Sequence, residues 1–142
     1  MGVDFPRVLI ADPDSGLRQQ LFSALLSGEV FADCVTTTTD AIAKLEEQKY
    51  AVVVLDVSLP FGDVERVIAR VATMPAATRP VVLILAANPE AARSLDVEIV
   101  QIVLRKPVHL QQLVEMVRSC IRNVRGRADV TSCDPNPDQL LG

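Results

Sequence analysis

Two kinds of apolar pattern alternate along the chain. Arg7–Ala11 (RVLIA), Ala51–Leu55 (AVVVL) and Pro80–Ala86 (PVVLILA) are short, continuously apolar runs rich in valine and isoleucine. Continuous apolarity predicts strands covered on both faces, as in a parallel sheet. Between these runs the spacing becomes helical. Leu17, Leu21, Ala24 and Leu25 share one face, as do Ala41, Ile42 and Leu45, and Val64, Val67, Ile68 and Val71. Phe31–Thr37 (FADCVTT) alternates and carries β-branched residues, which predicts a less buried strand near an edge. Glu98–Leu104 (EIVQIVL) reads as a fifth strand, preceded by a segment that looks short for a helix. A closing helix is expected over about His109–Asn123 on the stripe Leu110, Leu113, Val114, Val117 and Ile121.

Five β-α units in this order predict a doubly wound α/β domain with right-handed crossovers. The expected domain covers residues 1–125. Residues 126–142 carry two prolines and no apolar period from Arg127 on, and read as a tail or the start of a linker. A length of 142 residues suits one domain, and 49% apolar with 23% charged residues suits a soluble globular one. The net charge of −4 weighs against direct nucleic-acid binding, and Arg118, Arg122 and Arg125 on the last helix read as a solvated stripe. Cys34, Cys120 and Cys133 are odd in number and lack CxxC spacing, so neither a disulfide framework nor a zinc site is expected. A reducing cytoplasm is the simplest home: no apolar stretch reaches the roughly 18 residues of a membrane span, and Met1–Pro6 lacks signal-peptide design.

In such a sheet the ligand site lies outside the carboxyl ends of the strands. Those ends carry Asp12 and Asp14 after strand one, Asp56 after strand three, Ala86 and Ala87 after strand four, and Lys106 after strand five. A carboxylate that attacks phosphorus becomes an acyl phosphate, and the incoming group needs a divalent cation and a cationic side chain to neutralise it. Hard oxygen ligands favour magnesium. Asp56 is then the candidate nucleophile, Asp12 and Asp14 the metal side, and Lys106 the partner of the phosphoryl oxygens. Each has a plainer reading: Asp14 precedes Ser15 and is placed to cap the first helix, and a lysine before a proline is often a solvated strand end.

From about Arg7 to Arg122 the chain resembles the receiver domain of two-component response regulators. The matching pieces are VLIADPD at Val8–Asp14, with Arg18 and Leu21 following, VVVLDVSLP at Val52–Pro60, PVVLILAA at Pro80–Ala87, and VLRKP at Val103–Pro107. The resemblance implies a flavodoxin-like (βα)5 sandwich with strand order 2-1-3-4-5. It implies Asp56 as phospho-acceptor, Lys106 as the phosphoryl contact, and Mg2+ held by Asp12, Asp56 and the backbone carbonyl of Ser58, with Asp14 as a further candidate. It also implies a sensor histidine kinase or phosphotransfer protein as donor in a phosphorelay. Downstream protein binding or homodimerisation would use the face of helix four, strand five and helix five. Such a domain is not an enzyme in the turnover sense.

The departures point to an altered switch. The second member of the family's acidic pair falls on Pro13, which has no side-chain oxygen and weakens the magnesium site. The hydroxyl residue at the end of strand four falls on Leu85 or Ala86, the aromatic reporter on Val103, and the small pair before strand five on Ile99-Val100. One alternative is a pseudo-receiver that acts without phosphorylation as a protein-interaction module, with Val97, Ile99, Val103 and Val108 either enlarging its apolar face or lining the core. Another is a haloacid-dehalogenase-like phosphatase, with Asp12 as nucleophile and Asp14 as proton donor, although Glu90 is the nearest acid after strand four. A small-molecule-binding flavodoxin-like domain would need a glycine-rich phosphate loop, and DPDSG supplies one glycine.

Overall fold

The structure, a computed structural model, describes residues 6–60 and 63–132, with side chains of the last helix through residue 123. The strands are β1 (Arg7–Ala11), β2 (Phe31–Val35), β3 (Val52–Asp56), β4 (Val81–Ala86) and β5 (Val100–Arg105). The helices are α1 (Ser15–Ser27), α2 (Thr38–Glu47), α3 (Val64–Ala72) and α4 (Leu110–Ser132). All strand pairs are parallel and the order is β2-β1-β3-β4-β5, as the resemblance implies.

The continuous apolar runs sit where two-sided burial demands them. On one face Val8, Ile10, Val52, Val54, Leu83 and Leu85 meet Leu21 and Leu25 of α1 and Leu113, Val117 and Ile121 of α4. On the other, Leu9, Val53, Leu55, Val82 and Ile84 meet Ala41 and Leu45 of α2 and Val67, Ile68 and Val71 of α3. Each such aliphatic side chain stabilises the fold by about 1.5–3 kcal/mol when fully buried. Central β3 is buried along its whole length, so its last residue, Asp56, is carried to the carboxyl edge with a fixed direction.

Three of the elements depart from expectation. β2 ends at Val35, two residues early, because Thr37 turns out to cap α2, its Oγ1 accepting the Asp40 N–H at 3.0 Å. The fourth crossover holds only a 3-10 turn, Pro89–Ala92, and no α-helix. Ala92, Leu95 and Ile99 reach the core from this segment, too few to build a helical stripe, and the exposed residues include Val97 at 84%. Of the candidate apolar face, Ile99 is buried, Val108 packs partly buried against the α1/α4 side, and Val103 is 39% exposed. Finally α4 runs to Ser132, beyond the expected end at Asn123. The rest of the expected tail, residues 133–142 including Cys133, lies outside the described residues.

Arg118 does not stand on a solvated stripe. A Cβ on Gly28 would lie 2.6 Å from its Nη2, so the guanidinium crosses the carboxyl end of α1, where a cation complements the helix dipole. Among the described residues Cys34 and Cys120 are free, and no helix is long and apolar enough to cross a membrane.

Candidate functional site

The loop after β1 is tied down by its own polar groups. Asp12 is fully buried, and its N–H donates to the Val35 carbonyl at 3.2 Å. Its Oδ1 accepts the Asp14 N–H at 2.8 Å. Asp14 Oδ1 accepts the N–H groups of Gly16 at 3.0 Å and Leu17 at 3.2 Å, which caps α1. From the first turn of α1, Arg18 Nη1 reaches back to the Asp12 carbonyl at 2.7 Å. The result is a closed ring of hydrogen bonds around Pro13.

Asp56 and Lys106 arrive from the centre and the edge of the sheet. The Lys106 N–H donates to the Ala86 carbonyl at 2.9 Å, extending the β4-β5 ladder by one residue, and the Lys106–Pro107 peptide is cis. The Lys106 ammonium then turns inward. Its Nζ hydrogen-bonds Asp12 Oδ1 at 3.1 Å, lies 2.9 Å from Asp12 Oδ2, and pairs with Asp56 Oδ2. Asp56, 3% exposed, uses its other oxygen for Ser58: Oδ1 accepts both the Ser58 N–H and the Ser58 hydroxyl, each at 2.6 Å.

Environment drives the two carboxylates apart. Burial raises the pKa of Asp12 above its ordinary value, with the Asp56 charge adding to it, although the Asp14 N–H and Lys106 oppose the rise. Burial acts on Asp56 too, but the hydrogen bonds from Lys106 and Ser58 outweigh it and hold this carboxyl below its ordinary value. Burial would lower Lys106, and its bonds to Asp56 and Asp12 win and raise it. At neutral pH Asp56 is therefore an anion and Lys106 a cation.

Asp12, Asp56 and Lys106, widely separated in sequence, thus meet. Asp14 does not join them, because its side chain is spent on the helix cap. Leu85 and Ala86, at the end of β4, are buried and bring no hydroxyl. The Ser58 side chain and the Arg18 tie are additions. An Asp-x-Ser sequence leaving a strand carries the signal for the first, since such short polar side chains bond backbone and neighbours two residues away. Nothing in the sequence signals the second.

Among the described residues no group of three or more His, Cys, Asp or Glu side chains is placed to hold a metal. Two carboxylates are. Asp12 Oδ2 is buried without a hydrogen-bond donor of its own, touched only by the charge of Lys106. An acceptor left open beside a second carboxylate fits magnesium, which takes one or two carboxylates and keeps several waters.

Residues 8–118 match the family model of the response regulator receiver domain. A comparison with curated proteins finds no match. Among solved structures, the chain resembles the signal receiver domain of a protein described as a Luxo repressor from Vibrio parahaemolyticus, at 21% identity and a TM-score of 0.78, covering 92% of this chain and 99% of that one. It also resembles the receiver domain of a sensor histidine kinase from Pseudomonas aeruginosa with a magnesium ion in its active-site cleft, at 18% identity and a TM-score of 0.71, covering 83% and 98%. A third is a response regulator from Thermotoga maritima in complex with magnesium and BeF, at 19% identity and a TM-score of 0.69, covering 82% and 99%. At these identities the likeness concerns the fold. With the family match running from the second residue of β1 into α4, this chain belongs to the response regulator receiver domain family.

Proposed function

We propose that the chain is a phospho-acceptor in a two-component phosphorelay, with Asp56 as the phosphorylated residue and a weakened switch. The observation that carries this reading is the Lys106 ammonium, shared between Asp56 and Asp12 at the carboxyl edge of the sheet. An Asp56 oxygen attacks phosphorus, the bond to the donor breaks, and its electron pair leaves with the donor. The donor is the phosphohistidine of a sensor histidine kinase or phosphotransfer protein, or a small acyl phosphate. Lys106 stands where the transferred charge arrives. Magnesium, when bound, would add further neutralisation there; Asp12, Asp56 and the Ser58 backbone carbonyl would hold it, and Asp14 only after releasing α1.

The weakening follows from what is missing. Pro13 offers no oxygen, Leu85 and Ala86 no hydroxyl, and Val103 no aromatic ring. Losing one charge-assisted contact costs about 1.5–3 kcal/mol, a factor of about ten to a hundred or more in affinity or rate. The domain signals rather than turns over substrate. Output passes to a partner protein, or to a second copy, through the β5 and α4 side where Val97 and Val103 are exposed, within the cytoplasm.

The test is intact mass after incubation with acetyl phosphate and magnesium, alongside Asp56→Asn. A phosphate-sized gain that the variant lacks is expected. No gain in folded protein would overturn the reading in favour of a phosphorylation-independent interaction module, a reading favoured by Asp56 having both oxygens already engaged. For the phosphatase alternative, turnover of a phosphate ester lost in Asp12→Asn would be the sign; with Asp14 turned to the α1 cap, its proton donor is missing from the cluster.

A further inference from the structure

We infer that the Ser58 hydroxyl is a catalytic group of the phosphoryl transfer, donating a hydrogen bond to the phosphoryl group as it moves onto Asp56. The inference rests on the phospho-acceptor role proposed for Asp56. Ser58 is an exposed residue just past β3, yet its side chain turns inward to Asp56 Oδ1 at 2.6 Å. The local chain does not need that bond. The Ser58 N–H already satisfies the same oxygen, and the Leu59 N–H closes the turn onto the Asp56 carbonyl at 3.2 Å. The hydroxyl is a second donor, held at the mouth of the site and free to rotate about its Cα–Cβ bond.

Charge movement gives this donor its task. In the free protein the negative charge is on the Asp56 carboxylate, and a donor there makes a charge-assisted bond. As the Asp56 oxygen forms its bond to phosphorus, the bond from phosphorus to acetate breaks and the electron pair leaves as acetate. The proton of Ser58 stays on its oxygen throughout. Asp56 becomes a neutral acyl group, and the charge now sits on the phosphoryl oxygens beside it. A rotatable donor follows the charge; donors aimed at developing charge are a major source of rate. The strand ends offer no substitute. Leu85, Ala86 and Ala87 carry no polar side chain, and the Asp14 carboxylate accepts from the first turn of α1. Ser58 supplies an uncharged side-chain donor to Asp56 beside the charged one of Lys106.

The experiment follows phosphate gain by intact mass over time in the full chain, at several acetyl phosphate concentrations with magnesium, for wild type, Ser58→Ala and Ser58→Thr. Melting temperatures of all three are read in parallel. Ser58→Ala should lower the limiting rate by about tenfold or more, leave the half-saturating concentration unchanged, and melt lower than wild type, as loss of a bond to the Asp56 carboxylate requires, while staying folded at the assay temperature. Ser58→Thr, which keeps a hydroxyl, should recover most of the rate. Labelling of Ser58→Ala at the wild-type rate, with Asp56→Asn unlabelled, would overturn the role of Ser58 and leave that of Asp56 standing. An equally slow Ser58→Thr would also overturn it, since the hydroxyl would then not be what matters. Unlabelled wild type would overturn both roles.

Discussion

Replacing Lys106 by methionine removes the only ammonium that, among the described residues, touches Asp12 and Asp56, and keeps most of the side-chain volume. Those two carboxylate side chains are 0% and 4% exposed, so each loses its counter-charge while staying largely out of water. Removing one partner of a buried pair costs about 3–5 kcal/mol, because an uncompensated charge stays behind. Two effects reduce that here. Lys106 is itself 21% exposed, so water enters where it leaves, and Asp12, already shifted upward, can take a proton. A loss of about 2–4 kcal/mol at neutral pH follows. For a domain of this size that lowers the melting temperature by about 3–5 °C per kcal/mol. Urea unfolding followed by circular dichroism at pH 7 measures it. The cause is isolated by adding Asp12→Asn: with one negative charge gone, Lys106→Met should cost much less. A Lys106→Met protein as stable as wild type, or an undiminished loss in the Asp12→Asn background, would refute the charge argument. Acid should also narrow the gap. Asp56 has a lowered folded pKa in wild type, so its stabilisation is present above the unfolded value of 3.8 and fades as pH falls through the folded one. The variant has little of that stabilisation to lose.

Further outcomes can be checked with simple variants. Tyr50 is the chain's single tyrosine, and there is no tryptophan; burial, with the hydrogen bond its hydroxyl donates to Asp33 at 2.7 Å, pushes its pKa well above 10, so tyrosinate absorbance should stay flat through the ordinary range and rise only with unfolding. Asp14→Ala should cost about 1 kcal/mol through loss of the α1 cap, read by chemical denaturation. Gly28 has φ −100°, which alanine also adopts; Gly28→Ala should therefore stabilise by about 0.4–1 kcal/mol once Arg118→Ala has cleared the space, and by less while Arg118 must shift. Above pH 10.5 the raised pKa of Lys106 becomes visible: its contribution is complete below that value and is lost as pH rises through the folded one, so the stability gap between wild type and Lys106→Met should narrow there in urea unfolding.

The sheet was legible because burial on both faces leaves one kind of sequence, the unbroken runs of β1, β3 and β4. The site followed from the sheet: once Val52–Asp56 and Val100–Arg105 are neighbours in a parallel stack, Asp56 and Lys106 must emerge at the same edge. Direction was less legible than position. Asp12 and Asp14 stand two residues apart and look equivalent, yet one faces the core and the other the helix cap, a choice fixed by Pro13 and by N–H groups that need acceptors. The fourth crossover was hard to read because its inward residues, Ala92, Leu95 and Ile99, follow no single period. The end of α4 was missed because the expected end rested on an apolar stripe, and that stripe runs out before the helix does. Arg118 read as surface because nothing along α4 reveals that the end of α1 lies beside it.

The ring of hydrogen bonds around Pro13 has a consequence for any ligand that calls on Asp14. To face Asp12, Asp14 must release the N–H groups of Gly16 and Leu17, and shift its own N–H away from Asp12 Oδ1. Uncapping α1 and giving up the partly buried bond together cost about 2 kcal/mol. The rearranged loop is then a minor conformer, held by about one molecule in thirty, and a cation that needs it binds about thirtyfold more weakly than one satisfied by Asp12 and Asp56 alone. At the proposed metal site the loop would therefore act as a selector, favouring a small, well-hydrated cation content with two carboxylates and water over a larger one that must gather a third.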